Sequence, residues 1–212
     1  MKKITFLLAC LMCMLMPLTI AAQSDYQIPQ SVPANNGELD WLIYKDRNGE
    51  AKIGKKEVTL KSLKKTRFGL SYPCTTYAKI PINMQGDFYI SATFKPSKID
   101  IDHPFGFVFN NVGTTQVHVI MFDGQFCTYP VNERVRYKNI KSKNGTYKVS
   151  IERRNGGDFI VSLNGLEVCT MPAYLAQMFN SPCVGAYEVN KGEIKILEVS
   201  YEQWAAPAEA DY

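Results

Sequence analysis

From Asp87 to Lys95 apolar and polar residues alternate, with Phe88, Ile90, Ala92 and Phe94 in one phase and Tyr89, Ser91, Thr93 and Lys95 in the other. A period of two is the pleat of a half-buried strand, not the 3.6 of a helix. The same pattern recurs in Phe105, Phe107 and Phe109, in Val117, Val119 and Met121, in Tyr147, Val149 and Ile151, and in Phe159, Val161 and Leu163. Between these runs stand Asn48-Gly49, Asp123-Gly124, Asn144-Gly145, Asn155-Gly156 and Asn164-Gly165, pairs that accept the positive φ of tight hairpin turns. The spacing predicts a hairpin from Gln116–Phe122 into Gln125–Tyr129, and another from Tyr147–Arg153 into Asp158–Leu163. Only Pro172 to Phe179 predicts a short helical turn. Many short strands without helices long enough for crossovers predict an all-β fold, an antiparallel two-sheet β-sandwich.

The start of the chain breaks this pattern. Lys2 and Lys3 precede an apolar run from Ile4 to Ile20, interrupted by Pro17 and followed by Ala21 and Ala22. That is the layout of a secretory signal peptide, residues 1–22, cleaved near Ala22. A membrane anchor is the alternative, but Pro17 and the small-residue exit favour cleavage, and no second apolar run of spanning length follows. Leu7-Leu8-Ala9-Cys10 resembles a lipoprotein cleavage box, yet only six residues separate Lys3 from Cys10, too few for the apolar segment such a leader carries. The expectation is export without stable membrane insertion, to a secreted, periplasmic or cell-envelope location. Residues 23–38, with Pro29, Pro33 and Asn35-Asn36-Gly37, predict an irregular N-terminal arm, residues 39–204 the sandwich, and residues 205–212 a loose tail.

Composition narrows the function classes. The 212 residues are 46% hydrophobic and 21% charged, the balance of a globular chain. Of the 24 basic residues, loss of Lys2 and Lys3 leaves 22 against 20 acidic ones, which is no footprint for nucleic acid. Cys74, Cys127, Cys169 and Cys183 remain after cleavage. Export permits disulfides, and Cys169 with Cys183 brackets a segment that one bridge could close. A domain of this size can equally bury all four as thiols, so both outcomes stay open. There is no CxxC, no HExxH and no cysteine–histidine cluster at zinc spacing.

The succession Asp87-Phe88-Tyr89-Ile90, Phe105-Gly106-Phe107-Val108-Phe109, Tyr147 to Arg153, Phe159 to Gly165, Cys183-Val184-Gly185-Ala186-Tyr187 and Ile194 to Val199 resembles the concanavalin A-like lectin/glucanase jelly roll, in its laminin-G-like form from secreted bacterial proteins. The resemblance spans roughly Leu39 to Trp204 and rests on strand pattern, an Asn-Gly hairpin and a Val-Gly step. It implies a fold more than an activity.

Glucanases of that kind carry their carboxylates on an acidic strand motif, and retaining hydrolysis needs two carboxylates about 5 Å apart. No such strand occurs here, so no catalytic residue is assigned. The nearest acidic run, Asp100-Ile101-Asp102-His103-Pro104, reads as a polar connector. Asp100 and Asp102 could contribute to a weak Ca²⁺ site, but two side chains fall short of the six to eight oxygens that ion prefers. No other cofactor and no metal ligand set is implied. His103 and His118 are the only histidines, and no Gly-x-Ser-x-Gly elbow occurs.

The phase opposite the core carries Tyr89, Ser91 and Thr93 on one strand, Asn110 on another, Gln116 and His118 on a third and Tyr129 near a fourth. Rings offer apolar platforms to sugar C–H faces, and amides and hydroxyls bond sugar hydroxyls. Tyr89, Asn110, Gln116, His118 and Tyr129 are therefore the candidate ligand-binding residues, against the plain alternative that strands favour Tyr and Thr anyway. Trp41 and Trp204 are expected to close the core at the ends of the domain. The lysines and arginines at Lys52–Arg67 and Arg134–Lys143 are expected on solvated edges, where they discourage pairing with other chains, with an acidic-glycan patch as the alternative. The expected function is a secreted, non-catalytic module for a polysaccharide or other glycan. The alternatives are a glycoside-processing enzyme using Asp100, Asp102 or Glu152, and a module that binds a cell-envelope protein.

Overall fold

A computed structural model describes residues 26–63, 74–98, 104–111, 116–122, 125–129, 133–136, 142, 144–188 and 191–205. The strands are β1 (Val32–Pro33), β2 (Trp41–Lys45), β3 (Gly49–Ile53), β4 (Val58–Ser62), β5 (Cys74–Lys79), β6 (Asp87–Pro96), β7 (Phe105–Asn111), β8 (Gln116–Phe122), β9 (Gln125–Tyr129), β10 (Glu133–Arg136), β11 (Tyr147–Arg153), β12 (Phe159–Leu163), β13 (Leu166–Met171), β14 (Phe179–Glu188) and β15 (Gly192–Trp204). All pairings are antiparallel. They form an eight-stranded sheet, ordered β13-β12-β11-β6-β15-β4-β3 with β1 added against β15, and a seven-stranded sheet ordered β10-β9-β8-β7-β14-β5-β2. The chain is thus an all-β sandwich of jelly-roll type.

The alternation puts one phase of each strand between the sheets. Phe88 and Phe94 of β6, Phe105, Phe107 and Phe109 of β7 and Phe159 of β12 are fully buried there. Phe94 meets Phe105 across the gap with ring centroids 4.8 Å apart. In β11 the buried phase runs Tyr147, Val149, Ile151 and then Arg153, a charge in an apolar series.

The turn chemistry explains the connections. Asn155 (φ 53°) and Gly156 (φ 62°) turn β11 into β12, and Asn164 (φ 52°) with Gly165 (φ 82°) turns β12 into β13, where Leu163 pairs Leu166. Asn144-Gly145 leads into β11. Asp123-Gly124 lies outside the described residues, while the strands it joins pair as a hairpin with Phe122 opposite Gln125. Asn48-Gly49 is a correction: it makes no hairpin, because β2 belongs to the seven-stranded sheet and β3 to the eight-stranded one. Pro172 to Phe179 contains the expected short turn, a 3₁₀ segment at Ala173–Met178.

Cys74, Cys169 and Cys183 form no disulfide. Cys169 of β13 belongs to the core between the sheets, whereas Cys183 of β14 pairs with Val108 in the opposite phase, so the bridge between them does not form. Residues 1–22, expected above to be a signal peptide, the tail from residue 206 and the side chain of Cys127 lie outside the described residues. Among the described residues no helix is long and apolar enough to cross a membrane.

The N-terminal arm is a strap across the outer side of the eight-stranded sheet. The Tyr26 hydroxyl donates to Asp87 Oδ2 at 2.8 Å, Trp204 Nε1 donates to the Gln27 carbonyl at 3.0 Å, and Ser200 Oγ donates to the Gln30 carbonyl at 3.1 Å. Val32 then pairs with Val199. Arg154 lies 5.3 Å from the ring centroids of both Tyr26 and Trp204. Trp204 is therefore buried on the outer side, under the strap, rather than in the core between the sheets. Trp41 does pack against that core.

Candidate functional site

Phe107 pairs with Val119 and Phe109 with Val117, so these four share the core face of the seven-stranded sheet. The residues between them take the outer face. Asn110 stands opposite Gln116, Val108 opposite His118, and His118 opposite Tyr129. Four of the five residues expected to bind ligand, Asn110, Gln116, His118 and Tyr129, thus occupy neighbouring positions on one face of three adjacent strands.

Tyr89 does not join them. It lies on β6 in the other sheet, where it is only 5% exposed. Its ring packs at 6.2 Å against Trp204, itself held by the strap. Period-two alternation assigned Tyr89 to the outer phase correctly, but the arm covers that phase and removes it from solvent. Ser91, on the same outer phase, is 1% exposed for the same reason.

The register also adds residues that strand-by-strand inspection does not connect. Cys127 pairs with Arg134 and Gln125 with Arg136, which puts both arginines of β10 on the outer face beside β9. On the other flank Cys183 pairs with Lys79 and Gly185 with Tyr77. Leu42 stands opposite Tyr77, and Tyr44 one step along the same face of β2. Val108 and Cys183 are buried but outside the core between the sheets, as expected for the middle of that outer face. Burial pushes the Cys183 thiol above its ordinary pKa, partly countered by the charge of Lys79.

Across β2, β5, β14, β7, β8, β9 and β10, the described positions of the outer phase hold Lys79, Arg134 and Arg136 but no Asp or Glu. Glu133 and Glu188 fall in the opposite phase, paired with Thr128 and Cys74. By register its described positions carry cations, amides, a histidine and tyrosines, and among them stands no pair of carboxylates of the kind that most glycoside hydrolases use. Of the alternative carboxylates, Asp100 and Asp102 lie outside the described residues. Glu152 is on β11 in the other sheet, held by Arg154 at 2.9 Å. Among the described residues no group of three or more His, Cys, Asp or Glu could hold a metal ion.

No family model and no curated protein matches this chain. Solved structures do. A sialidase superposes with a TM-score of 0.53 at 14% identity over 77% of this chain, which spans 17% of that protein. Alginate lyase AlgAT5 of polysaccharide lyase family 7 gives a TM-score of 0.50 at 14% identity, covering 76% of this chain and 85% of the lyase. The binding domain of botulinum neurotoxin DC, solved with rat synaptotagmin II, gives 0.50 at 11% identity over 83% of this chain and 48% of the toxin chain. At such identities these likenesses establish the jelly-roll fold.

Proposed function

We propose that this chain is an exported, concanavalin A-like carbohydrate-binding module whose ligand, an acidic polysaccharide, lies on the outer face of the seven-stranded sheet. The observation that carries this is the composition of that face by register: Asn110, Gln116, His118 and Tyr129 side by side, with Arg134, Arg136 and Lys79 and no acid at the described positions. Arginine forks bond carboxylate or sulfate groups in pairs, amides and the imidazole bond hydroxyls, and tyrosine rings take sugar C–H faces. Acidic side chains would repel such a polymer. Carbohydrate-related proteins among the structural neighbours, sialidase and alginate lyase, fit the same assignment.

Immobilised alginate, hyaluronan and heparin, set beside neutral laminarin, test it. The chain from residue 23 onward is expected to be retained by at least one acidic polymer and not by laminarin. Retention falls as salt rises, because exposed charges are screened. Arg134→Ala combined with Arg136→Ala should weaken binding by about tenfold or more, from charge-assisted bonds worth about 1.5 kcal/mol or more. Equal retention on laminarin, or no retention on any polymer, overturns the assignment.

The same face favours one catalytic alternative, elimination from a uronate chain. That reaction needs no carboxylate pair: a cation neutralises the uronate carboxylate, a base takes the proton beside it, and an acid protonates the departing glycosidic oxygen. His118 and Tyr129 are direct register partners with the β10 arginines nearby, which supplies residues of each type. A rise in ultraviolet absorbance from unsaturated uronate would convert the binding module into a lyase.

A further inference from the structure

We propose that the site continues across the strands to a distal aromatic subsite made by Tyr44 and Tyr77, so that the bound sugar chain runs across the strands rather than along them. This rests on the carbohydrate assignment above and adds a place and a direction to it. The two rings are stacked with centroids 5.8 Å apart and planes 17° apart, and their hydroxyls are 3.3 Å apart. Tyr44 is 57% exposed and Leu42, the neighbouring position of the same face, is 49% exposed. Tyr44 stands on the edge strand β2 and Tyr77 on its neighbour β5, so the pair bridges the last two strands of the sheet. The hydroxyl contact raises the Tyr77 hydroxyl pKa, chiefly through the hydrogen bond with Tyr44 and then through burial.

The backbone beneath Tyr77 is set by glycine. A Cβ on Gly185 would stand 2.9 Å from the Thr76 carbonyl oxygen and 3.3 Å from Tyr77 Cβ, so only glycine lets β14 come this close to the foot of the ring. Gly106, the register partner of Gly185 on β7, has φ of 147°, a conformation that side-chain-bearing residues rarely adopt. The row across the sheet therefore reads Leu42, Tyr77, Gly185, Gly106, Ile120, with two successive positions bare of side chains between the ring pair and the strand that carries His118.

Rigid rings with few rotatable bonds bind at low entropic cost, and a ring presenting both an apolar face and a hydroxyl suits a sugar. Lys79, exposed and two residues beyond Tyr77 on the same face, carries a positive charge to this flank as Arg134 and Arg136 do to the other. From β5 to β9 there are four strand spacings, about 19 Å at about 4.8 Å each. A ligand touching both Tyr77 and Tyr129 must be an oligosaccharide several rings long.

The experiment is a titration with a size ladder, disaccharide to hexasaccharide, cut from whichever of alginate, hyaluronan and heparin the wild-type chain retains. Wild-type affinity is expected to rise with length. The double variant Tyr44→Ala, Tyr77→Ala should lose about 5- to 10-fold on the longest oligomer and nothing on the disaccharide, the size of one aromatic contact. Tyr44→Phe, which keeps the ring and gives up the hydroxyl, should lose less on the longest oligomer than the double alanine variant does. In the unmodified protein, tetranitromethane nitration of Tyr44 should be blocked by the long oligomers and not by the disaccharide, a readout independent of whether the alanine variants fold. An equal loss at every length, or no loss and no protection at any, overturns the distal subsite while leaving the carbohydrate assignment standing. Failure of the wild-type chain to bind any of the three polymers overturns both.

Discussion

Arg153→Met is expected to destabilise the fold by about 3 to 5 kcal/mol, the scale for stripping the partner from a buried charged network. Arg153 is 7% exposed and occupies a core-phase position of β11. Its Nε donates to the Gly157 carbonyl at 3.0 Å and its Nη2 to the Gly156 carbonyl at 2.8 Å. Its Nη1 serves the carbonyls of Met84, Gln85 and Gly86 in the loop before β6. One side chain thus satisfies five carbonyls from two turns that have no ladder partners of their own, and it lies 5.5 Å from the Phe159 ring centroid. Methionine fills the volume but leaves those oxygens unbonded. For a chain of this length the loss corresponds to a fall in Tm of about 6 to 20 °C. Arg153→Lys should recover little, because an ammonium is a compact donor that cannot span both turns as the planar fork does. Urea unfolding of the three proteins checks this; a loss under about 1 kcal/mol would show that water replaces the guanidinium.

The same residue shows how far the sequence carries. Alternation located the sandwich, because Phe88, Phe107, Val149 and Val161 each fall on the apolar phase and each is fully buried. Arg153 sits in the phase of Tyr147, Val149 and Ile151, so its parity points inward although its charge points to water, and the parity prevails. Tyr89 marks the opposite limit. Its phase was right and its exposure wrong, because what covers it is an arm more than fifty residues away in sequence, and no local pattern specifies where an irregular segment lands. The candidate face was legible only in part. Asn110, Gln116 and His118 could be grouped by alternation alone, whereas Arg134, Arg136, Tyr77 and Tyr44 join them only through the order β10-β9-β8-β7-β14-β5-β2, which depends on pairings distant in the chain. The bend between sheets at Asn48-Gly49 was hidden because a crossing between sheets and a hairpin use the same turn residues.

Asp87→Asn is expected to cost about 2 to 3 kcal/mol near neutral pH, and the cost should shrink in acid. Asp87 is 4% exposed, and its carboxylate caps the β11–β12 turn: Gly156 N donates to Oδ1 at 2.8 Å, Asn155 N to Oδ2 at 2.8 Å, and the Tyr26 hydroxyl also to Oδ2. An amide supplies one oxygen in place of two and sets an N–H against a donor. Burial by itself pushes the Asp87 carboxyl up, but the Gly156 N–H, the Tyr26 hydroxyl, the Asn155 N–H and the Arg153 charge together outweigh it and hold the group below the ordinary aspartate value. The folded state therefore binds this proton more weakly than the unfolded chain does. Its contribution is fully present above the unfolded pKa of about 4 and is lost as pH falls through the lower folded value. Wild-type stability should drop steeply below about pH 4, while the variant, with nothing to protonate at this position, should follow a shallower line until the two curves converge. Since the carboxylate also anchors Tyr26, the strap should loosen in step: proteolytic cleavage near Gln27 and exchange of the Trp204 indole proton should both accelerate in the variant at pH 7 and in wild type at pH 3. Parallel curves for the two proteins from pH 7 to pH 3 would show that Asp87 is not the group through which acid opens this end of the sandwich.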